Sequence, residues 1–151
     1  MQGTASPSRT TVLELAAALI VAAVLLAVAA GPIAVGDATT HAREHGTVAA
    51  VTAAILAFVG LTIRPPDSGP VLSVWRAVLV AFAFLAAVQL IEGVGGMGYG
   101  PSNEGTRYSW LVTVHLVGVL ATFVGYVAVL VSLLAAGAWL LRRAVGSLRS
   151  S

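Results

Sequence analysis

Hydrophobic residues fall into four long stretches that short polar segments separate. The stretches cover Leu15–Val35, Gly46–Ile63, Ala77–Ile91 and Trp110–Leu141. A helix needs about 20 apolar residues to cross ~30 Å of hydrocarbon, and the first and fourth stretches meet this length alone. The second meets it if its helix begins near Thr40, and the third if its helix begins near Val71. The pattern predicts an all-α protein, a four-helix transmembrane bundle.

Composition agrees with a membrane protein and narrows its chemistry. Hydrophobic residues make up 58% of the 151 residues and charged residues only 9%, a balance that soluble domains do not need. The chain has no cysteine, which excludes disulfides, thiolate metal sites and cysteine nucleophiles. The net charge of +2 gives no indication of a nucleic-acid partner, so the expected environment is the lipid bilayer.

The first stretch resembles a signal peptide in one respect, because Arg9 precedes an apolar run. The run is longer than a typical signal core, however, and further membrane segments follow it. We therefore expect a retained helix. The predicted organisation is a polar tail over residues 1–11, a membrane domain over 12–141 and a basic cytoplasmic tail over 142–151.

Arginine placement predicts the orientation. In a four-helix arrangement six arginines lie on one side of the membrane: Arg9, Arg64, Arg76, Arg142, Arg143 and Arg149. Only Arg43 and Arg107 lie on the other side. Because arginine is enriched in cytoplasmic segments, both termini are expected in the cytoplasm of a multi-pass cell-membrane protein. The outer loops are then Gly36–Arg43 and Gly93–Arg107, the latter rich in glycine and expected to be flexible or tightly turned.

Two histidines are the leading candidates for chemistry. His45 and His115 lie near the starts of the second and fourth helices, within about 3 Å of the same depth at 1.5 Å per residue. Ionisable residues inside a membrane are costly and usually functional. One interpretation is ligation of a shared haem from opposite faces, with ring nitrogens about 4–8 Å apart, given axial bonds of about 2 Å. The other is hydrogen bonding of each histidine to a neighbouring helix or water.

The remaining polar residues are less specific. His41 lies four residues before His45 and shares its helix face, so the pair could bind a divalent metal, with Glu44 or His115 as a further ligand. We nevertheless interpret His41 as a solvated interface residue. Gln89 and Glu92 end the third helix and are also interpreted as interface residues. Stripes of small residues on the second and fourth helices, including Gly46, Gly60, Gly118 and Gly125, indicate close helix packing or room for a flat macrocycle.

Helices three and four resemble half of a haem A synthase. The resemblance rests on Phe84-Leu-Ala-Ala-Val-Gln89-Leu-Ile-Glu-Gly93 followed by Trp110-Leu-Val-Thr-Val-His115-Leu. In that family a Leu-Gln…Leu-Gly helix end precedes a Thr-x-His-Leu helix start, and each four-helix half binds haem through two histidines. The family also has a glutamate three residues before its second-helix histidine and an arginine after it. This chain has Ala42 and Gly46 at those positions.

The resemblance implies a b-type haem protein that serves haem modification, as in cytochrome oxidase assembly, or electron transfer. His45 and His115 would be the axial ligands, and Arg43 or Arg107 could pair with the propionates instead of being merely solvated. Glu44 is a candidate catalytic carboxylate of an oxidoreductase, and a homodimer is expected. The alternative is a non-enzymatic membrane subunit or small transporter-like protein whose histidines serve packing.

Overall fold

Four helices make up the described part of a computed structural model, which covers residues 8–30, 37–63, 69–96 and 109–149. They are α1 (Arg9–Ala30), α2 (Asp37–Thr62), α3 (Pro70–Gly96) and α4 (Ser109–Arg149). Each is long and apolar enough to cross a membrane. The prediction of an all-α protein is therefore confirmed, as is the prediction that four helices are long and apolar enough to span a membrane.

Local chemistry accounts for where two of the helices begin. The backbone N–H of Thr11 donates to Ser8 Oγ over 3.1 Å, which satisfies one of the free N–H groups at the start of α1. Pro70 is the first residue of α3, a position where a missing N–H costs nothing. The preceding Gly69 has a φ of 91°, which favours glycine.

Four helix ends differ from the prediction. α1 includes residues 9–11, which the sequence assigned to the polar tail, and α2 begins at Asp37 and so absorbs most of the predicted loop Gly36–Arg43. α3 continues through the predicted loop start at Gly93 to Gly96, and α4 continues to Arg149. Helices that meet lipid must satisfy their backbone groups internally, which favours continued helix even across glycine.

The helices pack in chain order, with α3 against both α2 and α4 and with α1 mainly against α2. Within the described residues, the backbone of α4 packs along α3 alone. Small residues permit close approach, as predicted: a Cβ on Gly46 would lie 3.3 Å from the Ala23 carbonyl oxygen, and one on Gly125 would lie 3.0 Å from Leu85 Cδ1.

The apolar core and the polar residues occupy opposite ends of the bundle. Nine buried side chains from α1, α2 and α3 form the main apolar core: Val12, Ala16, Leu19, Ala53, Leu56, Trp75, Leu79, Phe82 and Ala86. At the other end, the start of α2, the end of α3 and the start of α4 meet. Antiparallel packing thus brings together residues that are more than 70 positions apart in the chain.

Candidate metal centre

The side chains of three histidines and one glutamate converge where these three helix ends meet. His41 and His45 lie one turn apart on α2, Glu92 lies in the last turns of α3, and His115 lies in the second turn of α4. A spacing of four residues places His41 and His45 on one face of α2, and that face is turned toward Glu92.

Glu92 is the centre of this His/Glu cluster. Its Oε1 atom lies 2.8 Å from His115 Nδ1, 3.5 Å from His41 Nε2 and 4.0 Å from His45 Nε2. The Glu92 side chain is only 2% exposed, whereas the three histidines retain 16–33% exposure. One carboxylate oxygen is therefore shared by three imidazoles from two helices.

The imidazole rings also contact one another. The ring of His41 packs edge-to-face against His45, with centroids 4.3 Å apart, and against His115, with centroids 5.1 Å apart. One ligand atom each from His41, His45 and Glu92 lie within 4.8 Å of one another. Ligands about 2.1 Å from a tetrahedral metal lie about 3.4 Å apart, so these atoms must approach by up to about 1.4 Å to coordinate one ion.

Glycine residues allow these side chains to approach so closely. A Cβ on Gly93 would lie 3.2 Å from His45 Cβ, and a Cβ on Gly96 would overlap the His41 ring. A Cβ on Gly95 would lie 2.5 Å from the backbone nitrogen of His115. The glycine-rich end of α3 is thus an ordered helical surface that all three histidines pack against, at least as far as Gly96.

The second carboxylate oxygen of Glu92 is buried against α4. Glu92 Oε2 is buried and has no hydrogen-bond partner among the described residues. Gly118 of α4 faces this oxygen, and a Cβ at that position would overlap it. Burying an ionised carboxylate is costly unless a cation or donor compensates it, and the neighbouring imidazoles supply lone pairs suited to the same cation.

A buried amide borders the cluster. Gln89 is 1% exposed and lies one turn before Glu92 on α3. Its Oε1 atom is 2.6 Å from His45 Nδ1, and its Nε2 donates to Thr122 Oγ1 over 3.3 Å. These contacts connect α2, α3 and α4 through polar groups within the apolar helices.

The structure places His45 and His115, the two leading candidates from the sequence, near one carboxylate oxygen and adds two residues to the site. His45 and His115 both face the interior and flank the same carboxylate oxygen. His41, which we interpreted from the sequence as a solvated interface residue, is only partly exposed and belongs to the cluster. Glu92, also interpreted as an interface residue, is the most deeply buried of the four. A single acidic residue in an apolar helix was the available signal.

Two other sequence candidates, Arg43 and Glu44, lie outside the cluster. Arg43 and Glu44 are exposed on α2, where Thr40, Thr47 and Val48 complete an open surface depression of about 400 Å³. Arg107 lies outside the described residues. Among the described residues, neither the Arg43 nor the Glu44 side chain forms an ion pair or ring contact with the histidines.

This arrangement differs from that expected of a haem held by His45 and His115. Axial imidazoles approach iron from opposite faces of a flat macrocycle. Here Glu92 Oε1 lies close to both ring nitrogens, and His41 contacts the His115 ring. The space at Gly93, Gly95, Gly96 and Gly118 is filled by histidine and glutamate atoms. The residues as placed fit a single ion better than a macrocycle.

Comparisons with protein-family models, with curated proteins and with solved structures find no match for this chain.

Proposed function

We propose that this chain is an integral membrane protein that binds a divalent transition-metal ion of the Zn²⁺ class. Its ligands are His41 Nε2, His45 Nε2 and the Glu92 carboxylate. The observation that carries the proposal is the convergence of these ligand atoms, within 4.8 Å of one another, around a buried carboxylate. His115 Nδ1 lies 2.8 Å from Glu92 Oε1, and we assign His115 the role of positioning that oxygen rather than of a ligand.

The donor set suits this class of metal. Neutral imidazole and carboxylate bind Zn²⁺ and other first-row ions, whereas Mg²⁺ and Ca²⁺ prefer oxygen ligands. Two histidines four residues apart on one helix are a recurrent zinc-binding pair, and a set of two histidines and one glutamate leaves a fourth position for water or substrate. The partial exposure of the three histidines gives such a ligand a route to the ion.

We place the site near the outer face of the cell membrane, with both termini in the cytoplasm. This orientation rests on the six arginines that the four-helix topology assigns to the opposite side. A metal at this depth is supplied from outside the cell and is held where the helices begin to leave the hydrocarbon.

Cobalt binding by the purified full chain tests the proposal. The protein is prepared in mild detergent, stripped with a chelator and titrated with Co²⁺, whose visible absorption reports coordination geometry. We expect saturation at one ion per chain, an intense absorption typical of a low coordination number, and displacement by Zn²⁺. Glu44→Gln is the matched control, because Glu44 is an exposed carboxylate on the same helix, and it should bind like the wild type. Absence of saturable binding would overturn the proposal.

Haem b is the second candidate, because His45 and His115 come from two helices and lie against the same Glu92 oxygen. It requires Glu92 and His41 to leave the positions described above. The two candidate ligands predict different binding by the His41→Ala and His115→Ala variants. Metal binding through the cluster should be weakened much more in His41→Ala, which loses a ligand, than in His115→Ala. Haem ligation is retained in His41→Ala and lost in His115→Ala. A Soret band in the purified protein, retained in His41→Ala, would favour haem.

A further inference from the structure

Gln89 is buried beside the proposed metal site without being a ligand. A glutamine that is 1% exposed on a membrane-spanning helix needs partners for its amide, because unsatisfied polar groups are costly in an apolar environment. Both ends of the amide have one: the His45 ring on α2 and the Thr122 hydroxyl on α4.

The contact with His45 determines which ring nitrogen can bind a metal. The Gln89 amide oxygen is an acceptor only, so the 2.6 Å contact requires the proton of neutral His45 on Nδ1. The lone pair is then on Nε2, the atom that lies 4.0 Å from Glu92 Oε1. In the other tautomer, Nε2 would carry a proton and could not ligate.

Thr122 orients the amide. Gln89 Nε2 donates to Thr122 Oγ1 over 3.3 Å, which leaves the amide oxygen directed at α2. His45 is thus held from behind by α3 and α4 together, while His41 and His115 contact Glu92 directly. An outer partner that fixes the tautomer and ring orientation of a ligating histidine is a general feature of metal sites.

From these contacts we infer that Gln89 is a positioning residue, which fixes His45 for ligation through Nε2. The inference rests on the proposed metal-binding function and deepens it, because it assigns the tautomer of one ligand and the residue that selects it. Gln89, which the sequence analysis noted at the end of the third helix, thereby has a defined role in orienting His45.

The test compares three variants by cobalt titration of the full chain in detergent. Gln89→Leu removes the acceptor and should weaken Co²⁺ binding about 10–100-fold, the usual effect of losing such a partner, with a changed absorption spectrum. Gln89→Glu keeps an acceptor at the same place and should restore binding to within a few fold. Ser132→Ala is the control, since Ser132 is a buried α4 residue whose hydroxyl donates to the Val129 carbonyl, and it should bind like the wild type.

Nitrogen-15 NMR of histidine-labelled protein provides a readout that a purely structural role would not change. We expect His45 of the metal-free wild type and of Gln89→Glu to be the Nδ1–H tautomer, and Gln89→Leu to lose this preference. If the wild type binds cobalt and Gln89→Leu binds it with the same affinity and spectrum, the role of Gln89 is wrong and the metal site stands. If the wild type binds no cobalt, both the proposed metal site and the positioning role of Gln89 are wrong.

Discussion

Gly95→Ala should separate α3 from α4 and disturb the site without altering any polar residue. The added Cβ would lie 2.5 Å from the backbone nitrogen of His115 and 2.6 Å from its Cα. Ordinary contact begins at about 3.4 Å, so the helices must move apart locally by about 0.9 Å. Because the obstructing atoms belong to the backbone, no side-chain rotation relieves the overlap.

The structural consequence can be worked out at His115. A displacement of about 0.9 Å would lengthen the 2.8 Å contact between His115 Nδ1 and Glu92 Oε1 to at most about 3.7 Å. Overpacking lowers the free energy of unfolding by about 1–3 kcal/mol, and the higher helix propensity of alanine than of glycine raises it by about 1 kcal/mol. The net expectation is a destabilisation of about 0–2 kcal/mol and a weaker affinity for Co²⁺.

Gly137→Ala is the matched control on α4. A Cβ there meets no described atom within 4 Å, so only the gain in helix propensity of about 1 kcal/mol remains. The two variants should differ by about 1–3 kcal/mol, the overpacking cost alone. Detergent-mixed-micelle unfolding followed by circular dichroism measures this difference, and cobalt titration measures the affinity. Equal stability and equal affinity in both variants would refute the close α3–α4 contact at Gly95.

Three further predictions test other parts of the account. Glu92→Gln should abolish cobalt binding, because it replaces the carboxylate ligand by a neutral amide, and a titration like that of the wild type would contradict the assignment of Glu92 as a ligand. Gly96→Ala should displace the His41 ring and lower Co²⁺ affinity about tenfold or more, whereas an unchanged titration would show that His41 is not a ligand. A reporter fused after the last residue should remain cytoplasmic and one inserted near Asn103 should be exported, the reverse pattern excluding the proposed orientation.

Sequence patterns predict the helices well because the bilayer imposes their length. About 20 apolar residues are needed wherever a helix crosses, so four apolar stretches translate directly into four candidate spans. The ends were harder to predict. Gly93, Gly95 and Gly96 are typical of a loop in sequence, yet they are helical here. The contacts explain why these positions are glycine, because a Cβ at each of them would meet atoms of a histidine.

The sequence predicted two of the four cluster residues, His45 and His115, as the leading candidates. The matched depths of His45 and His115 follow from their distance to the helix starts, and the structure brings both to one carboxylate oxygen. The sequence does not determine which way Glu92 faces at the end of α3, because that depends on how α3 packs between α2 and α4. The same packing turns His41 inward, so its burial could not be read from helical spacing alone.

X-ray absorption at the zinc edge of the Zn²⁺-loaded protein tests the central claim most directly. We expect a first shell of nitrogen and oxygen at about 2.0–2.2 Å with no sulfur, an outer-shell signal from two imidazoles, and the loss of one imidazole in His41→Ala. A shell of oxygen alone, or an imidazole signal that is unchanged in His41→Ala, would contradict a metal centre built from His41, His45 and Glu92.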